Sequence, residues 1–335
     1  MASRDCGWSW ARFNSWQESA VFHSRLMLAV RSALEHACRR SGRADIHPGL
    51  PVTIAIALKV GDCVVLGADS ASSLMDGRGE LLNVYFNAEK IVDLRKDLRI
   101  GLVTYGLGGM AGRSITTHAK DLRRKLATAG DPLSIDKDAY TVEEVAERVQ
   151  RYFVDDLYKT EWPRVSKDSD GNDVNTYASM GFLVAGYSAN ASEGEVWRVE
   201  VDPVGHVERM PVFKIGESGV DIKGQPEAVH RLAFGWSPRI LEGLVSSGIP
   251  VADAQQFLMA QGAAQLVQPS MPLQDAVDLV NYLCEVTAGF VRFIPGGPTV
   301  HPPIDIATIN FHEGFRWVQR KHYYSPALNL PITCV

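Results

Sequence analysis

Ile54, Ile56 and Leu58 alternate with Thr53, Ala55, Ala57 and Lys59, a period of two that predicts a β-strand. Gly61-Asp62 follows as a two-residue turn with glycine in its first position. Val64-Val65-Leu66 is then a continuous apolar run, suited to a return strand buried on both faces. A turn at 61–62 sets Thr53 opposite Ser70 and one residue from Asp69. Strict alternation would send the Thr53 and Asp69 side chains to opposite faces, so bringing them together requires a bulge or a strand end.

Further along, AEKIVDL (88–94) and RIGLVTY (99–105) predict a second pair of strands, and the glycine-rich Gly106–Gly112 segment leads into a helix over about 114–128. Another helix opens at Thr141, where Glu144 completes a capping box. KDSDGNDVN (167–175) reads as a polar turn. GFLVAGY (181–187), EVWRVEV (195–201) and HVERMPVFKI (206–215) predict three antiparallel strands, the last two joined by a turn at Asp202–Gly205. IGESG (215–219) leads to helical sequence from about 225 to 247, with further helices near 251–267 and 272–289. IDIATINF (304–311) and FRWVQRK (315–321) predict a closing hairpin. This order predicts an α+β protein with two antiparallel sheets packed together and helices outside.

Composition narrows the setting. The 335 residues are 46% hydrophobic and 22% charged, ordinary for a globular chain. A net charge of −5 without a long basic run gives no basis for a nucleic-acid partner. Five cysteines, Cys6, Cys38, Cys63, Cys284 and Cys334, lie far apart without CxxC spacing, the pattern of a reducing compartment rather than of a disulfide framework or zinc site. No apolar run reaches the length of a membrane span, and a cytoplasmic location is expected. Residues 1–51 differ from the rest: they hold Trp8, Trp10 and Trp16, many arginines, and a helix-compatible stretch from Trp16 to about Arg40, and they end in the helix-breaking SGRADIHPGLP. They read as a propeptide, as a small N-terminal extension, or as a mis-assigned start with Met27 as initiator. The expected division is an extension at 1–51, one domain at 52–325 and a tail at 326–335.

The candidate chemistry sits at the opening hairpin. A threonine hydroxyl is a weak nucleophile unless a base activates it, and a threonine that begins the mature chain carries that base as its own amine. Thr53 is such a candidate, and equally an ordinary strand threonine. Other motifs have simpler readings. Gly106-x-Gly108-x-x-Ala111 follows hairpin-linked strands and so does not suit a dinucleotide fold. Asp168-x-Asp170-Gly171 lacks the glutamate of a calcium loop. The histidines, His301 included, show no metal or triad spacing, and Ser218 in GESG is not a nucleophile elbow.

From about Val52 to Lys321 the chain resembles proteasome β subunits and HslV-type bacterial peptidases, members of the N-terminal-nucleophile (Ntn) hydrolases. TIAIALKVGDCVVLGADS resembles the opening hairpin, AEKIVDLRKDLRIGLVTYGLGG the lysine strand and glycine-rich turn, FLVAGYSANASEGEVWRVEVDPVGHVERMPVFKIGESG the central meander, and MPLQDAVDLV with PGGPTVHPPIDIATI the last helix and closing strands. The resemblance implies a four-layer αββα sandwich that assembles into a homo-oligomeric ring and hydrolyses peptide bonds of polypeptide substrates. It implies no cofactor or metal, and a partner ATPase that unfolds the substrates. It makes Thr53 the nucleophile, Asp69 an orienting carboxylate and Lys90 an electrostatic partner. The turn of Gly106, Gly108 and Gly109 would supply oxyanion N–H groups, with Ser70 and Ser218 in support. Pro51-Val52 stands where the family has a glycine, and a shift of one residue would put Val52 in the nucleophile position. Arg292-Phe-Ile-Pro295-Gly296-Gly297 stands where the family has Asp-x-x-Ser-Gly-Gly, and Lys90 comes about five residues late, implying a longer loop around MDGRGELLN. A catalytically inactive subunit with a structural role in the ring is therefore the alternative.

Overall fold

The computed structural model describes residues 53–75, 81–167, 170–294 and 299–321. The N-terminal extension, Val52, residues 168–169, the Pro295–Gly297 turn, the tail at 326–335 and most of the MDGRGELLN loop lie outside them. The opening hairpin has the register its turn dictates: in β1 (Ile54–Lys59) and β2 (Cys63–Ala68), Ala55 pairs with Ala68 and Lys59 with Val64. Every residue of both strands is buried.

The chain is mixed α/β, built on two five-stranded antiparallel sheets. Between β2 and the second sheet come a short pair, β3 (Ser72–Met75) with β4 (Leu81–Tyr85), and then β5 (Ile91–Asp93) and β6 (Ile100–Gly106). A two-residue pair, β7 (Gly109–Met110) with β8 (Arg113–Ser114), precedes helix α1 (Ile115–Ala127), which Ser114 caps. Helix α2 (Val142–Gln150) starts at the expected Thr141 cap, whose side chain accepts from Glu144 N, and continues through a π-helical stretch at Arg151–Tyr158. Strands β9 (Arg164–Lys167) and β10 (Asp173–Thr176), at the two ends of the polar 167–175 segment, pair antiparallel. The meander follows as β11 (Met180–Gly186), β12 (Glu195–Val201) and β13 (Val207–Phe213). After β14 (Gly219–Gly224) come α3 (Glu227–Phe234), α4 (Pro238–Ser246), α5 (Val251–Gly262) and α6 (Leu273–Arg292), and the hairpin of β15 (Asp305–Asn310) and β16 (Gly314–Gln319) closes the described chain. One sheet runs β14-β1-β2-β15-β16 and the other β13-β12-β11-β6-β5.

The alternation in β1 sorts its side chains between two cores. Ala55 and Ala57 join Leu66, Val103, Leu183 and Ile309 in a cluster that both sheets share. Ile54, Ile56 and Leu58 face α3 and α6 through Val229, Val280 and Leu283. A third cluster packs Leu102, Phe182 and Val199 against α1 and α2. The close approach of α6 to β2 depends on Gly67, where a Cβ would lie 2.3 Å from Val280 Cγ1. Among the described residues no helix is long and apolar enough to cross a membrane.

Two expectations change. Where the sequence predicts only a connection between IGESG and a helix from about 225, β14 adds to the free edge of β1, with Ile54 opposite Gly224 and Lys59 opposite Gly219. Its GVDIKG sequence is half-buried and flanked by glycines, so its strand character comes from the open ladder beside it rather than from a strong apolar pattern. β5 is shorter than 88–94, so Glu89 and Lys90 precede the strand instead of lying within it.

Candidate functional site

Thr53 stands one residue before β1 and Asp69 one residue after β2, so the strand ends supply the departure from alternation that their juxtaposition needs. Thr53 is buried and its φ is 113°, a region that β-branched residues rarely enter, at a cost of ~1–3 kcal/mol. Three neighbours hold it there. Its N–H donates to the Thr299 carbonyl at 3.0 Å, and its carbonyl accepts from Gln225 N at 2.8 Å. Gly224 presses against the same carbonyl: a Cβ there would lie 2.0 Å from the Thr53 oxygen.

Asp69 is fully buried and its carboxylate is saturated with donors. Oδ1 accepts from Ile54 N (3.0 Å) and Lys90 Nζ (2.5 Å), and Oδ2 from Ala71 N (2.9 Å) and His301 N (3.1 Å). Lys90 Nζ also donates to Thr53 Oγ1 at 2.7 Å. One ammonium therefore bridges the Thr53 hydroxyl and the Asp69 carboxylate inside the protein. Burial pulls Lys90 below the ordinary lysine range; Asp69 opposes that, and the charge on Lys321 adds to it.

Ser70 ties this end of the hairpin to the segment before β15. Its N–H donates to the His301 carbonyl (3.0 Å), its carbonyl accepts from Ala88 N (2.9 Å), and its Oγ donates to the Pro303 carbonyl (2.5 Å) while accepting from Lys321 Nζ (2.8 Å). Lys321 in turn pairs with the fully buried Asp305. The Phe86 and His301 rings pack at 4.4 Å beside Asp69's donor.

The structure thus brings Thr53, Asp69, Lys90 and Ser70 together. Gly106 ends β6 with a φ of 80° and Gly109 opens β7; between them Gly108 lies against Ser72, three residues after Asp69. Ser218 is not part of the group. It precedes Gly219, which pairs with Lys59 at the end of β1 remote from Thr53, so the expected supporting role has no geometry behind it.

Thr299, Gln225, His301, Asp305 and Lys321 were missed. His301 and Thr299 act through backbone groups, which carry no signature in the side-chain sequence. Asp305 had a usable signal: a carboxylate inside the apolar run IDIATI requires a buried cation, and the closing strand ends in one.

No family model matches the chain, and no curated protein matches it. Solved structures it is similar to include Anbu from Hyphomicrobium sp. strain MC1, at 13% identity and a TM-score of 0.45, covering 80% of this chain and 86% of that one. Another is Anbu (ancestral beta-subunit) from Yersinia bercovieri, at 14% identity and a TM-score of 0.43, covering 81% and 88%. The resemblance to proteasome β subunits and HslV-type peptidases is corrected accordingly: the solved structures reported are Anbu proteins, and no family model supports the narrower assignment. Individual strands and turns shared by sandwich-like folds carried that resemblance, and such segments do not separate one family from another.

Proposed function

We propose that this protein is a threonine-nucleophile hydrolase that cuts peptide bonds, with Thr53 Oγ1 as the attacking atom. The observation that carries the proposal is the Lys90 ammonium held 2.7 Å from Thr53 Oγ1 and 2.5 Å from Asp69 Oδ1. An ammonium at that distance favours the alkoxide over the hydroxyl, and a buried carboxylate keeps the lysine in place and charged. The strained φ of Thr53 supports a processed site, because strain next to the 52–53 peptide bond is relieved when that bond breaks.

In this reading, hydrolysis of the 52–53 bond frees the Thr53 amine. That amine takes the Oγ1 proton as the oxygen attacks the substrate carbonyl carbon, and the glycine-rich turn of Gly106, Gly108 and Gly109 is the proposed source of N–H groups for the developing oxyanion. The amine then passes its proton to the leaving nitrogen as the peptide bond breaks, leaving an ester on Thr53. Water attacks that ester and gives a proton to the amine, the amine returns it to Oγ1 as the ester bond breaks, and the acid product departs with Thr53 restored. The shared cluster between the sheets and the helices on their outer faces support a four-layer αββα frame. Assembly into a homo-oligomeric ring that receives polypeptides from an unfolding ATPase belongs to the same proposal.

The alternative, an inactive structural subunit, draws on one observation: the Thr53 nitrogen donates to the Thr299 carbonyl, a bond that the amide of an unprocessed chain makes equally well. Intact mass and N-terminal sequencing of the purified full chain separate the two. Processing is expected to yield a chain beginning at Thr53, with a β-lactone probe esterified to that residue. Thr53→Ala is expected to abolish both. A wild-type chain that stays unprocessed in its assembled form, or labelling that survives Thr53→Ala, would overturn the peptidase reading.

A further inference from the structure

Two consecutive residues just past the end of β16 reach back to the site, and each grips the residue next to a catalytic partner. Arg320 pairs with Glu89 at 2.5 Å, immediately before Lys90. Lys321 donates to Ser70 Oγ at 2.8 Å, immediately after Asp69. We infer that Arg320 and Lys321 form a positioning clamp that sets the Asp69–Lys90–Thr53 geometry and tunes the charge on Lys90. The inference rests on the proposed role of Thr53.

The anchoring is more extensive than a surface ion pair requires. Glu89 is 9% exposed, takes a second cation from Lys120 at 2.6 Å, and has its carbonyl bonded by Thr116 Oγ1 at 2.5 Å, so both its side chain and its backbone are held. On the other arm, Asp305 is fully buried, receives the Lys321 ammonium on Oδ2, and receives the Lys321 backbone N–H on Oδ1 at 2.9 Å. Arg320 also stacks over Trp317 of β16, with its guanidinium carbon 4.7 Å from the ring centre. β16 is an edge strand paired only to β15 among the described residues, so without these contacts the chain leaving it would have little to hold it against the site.

A buried lysine–aspartate pair is a poor way to gain stability, since matched apolar residues commonly do as well or better. Its placement suits an electrostatic role. The groups that face Lys90 are Asp69, which favours its charged form, Lys321, which disfavours it, and the Cys284 thiol. Two aspartates and two lysines thus share one buried region, and removing Lys321 takes away a like charge that disfavours the charged form of Lys90.

The test uses the processed full chain and the pH profile of β-lactone labelling at Thr53, whose alkaline limb follows loss of the Lys90 proton. Lys321→Met is expected to move that limb upward by on the order of one pH unit and to slow labelling at its optimum about tenfold. Lys321→Arg, which keeps the charge, is expected to leave the limb in place. Should Lys321→Met fold poorly, Lys321→Gln removes the charge while keeping an N–H donor for Asp305 and Ser70, and is expected to show the same upward shift. Arg320→Met is expected to slow labelling several-fold without moving the limb, because Glu89 keeps Lys120. A folded Lys321→Met or Lys321→Gln variant whose limb coincides with wild type overturns the inference while leaving Thr53 as nucleophile. A wild-type chain that does not label at Thr53 overturns both.

Discussion

At the scale of single residues, the site is organised by a carboxylate with more partners than charge. Asp69 takes three backbone N–H groups and one ammonium in full burial, and the backbone donors come from three separate stretches, at Ile54, Ala71 and His301. That convergence fixes where its remaining partner, Lys90, must stand. Because burial depresses Lys90, its proton is lost at a lower pH than that of an exposed lysine. A rate that depends on charged Lys90 is therefore full below that depressed value and falls as the pH rises through it. The alkaline limb of Thr53 labelling is expected below the ordinary lysine value of 10.5. Lys90→Arg, which stays protonated throughout, is expected to remove the limb, and Lys90→Met to slow labelling ~10²–10³-fold at every pH. Labelling rates across a pH series check all three outcomes. A limb that persists in Lys90→Arg would assign the titration to another group.

At the scale of elements, the opening hairpin was legible and β14, which pairs with it, was not. A glycine-led turn and an alternating strand specify a register through local geometry alone, and the observed pairing follows it. β14 was illegible because its pairing is non-local: it becomes a strand by lying against β1, more than a hundred residues earlier in the chain. That strand has a direct bearing on Thr53. Gly224→Ala would drive a Cβ into the Thr53 carbonyl at a backbone φ of 86°. Gly216 has a similar φ of 79° but open space where its Cβ would go. Gly216→Ala is therefore expected to cost only the left-handed backbone penalty, about 1–2 kcal/mol, and to leave labelling at Thr53 unchanged. Gly224→Ala is expected to cost more than that and to slow labelling steeply. Denaturant melts run alongside labelling check the pair, and equal effects of the two substitutions would mean that Gly224 does not position Thr53.

At the scale of the whole molecule, the site is backed by the core beneath it. Cys63 and Cys284 are fully buried in the cluster that joins the first sheet to α6. Burial pushes the Cys63 thiol up to about 11 and the Cys284 thiol higher still, so neither reacts as a thiolate while the chain is folded. Cys284 also lies behind β2, with its sulfur 3.4 Å from where a Gly67 Cβ would be. Alkylation at these two positions is expected only when the chain opens, and along a denaturant series it should appear together with the loss of Thr53 labelling. Peptide mapping after brief alkylation follows both thiols. Thiol exposure well before the loss of labelling would separate the site from this core.

The sequence by itself determined the hairpin, the capped helices, the three-strand meander and the closing hairpin, because each rests on contacts between residues close along the chain. It also singled out Thr53, Asp69 and Lys90 as a set. Tertiary structure alone decided that Lys90 reaches the Thr53 hydroxyl and that Thr299, Gln225 and Gly224 hold Thr53 in a strained backbone. It alone joined Arg320 and Lys321 to the far side of the same site. Those relations connect residues up to 251 positions apart, often through backbone groups that are alike in every residue, so no side-chain pattern could have announced them.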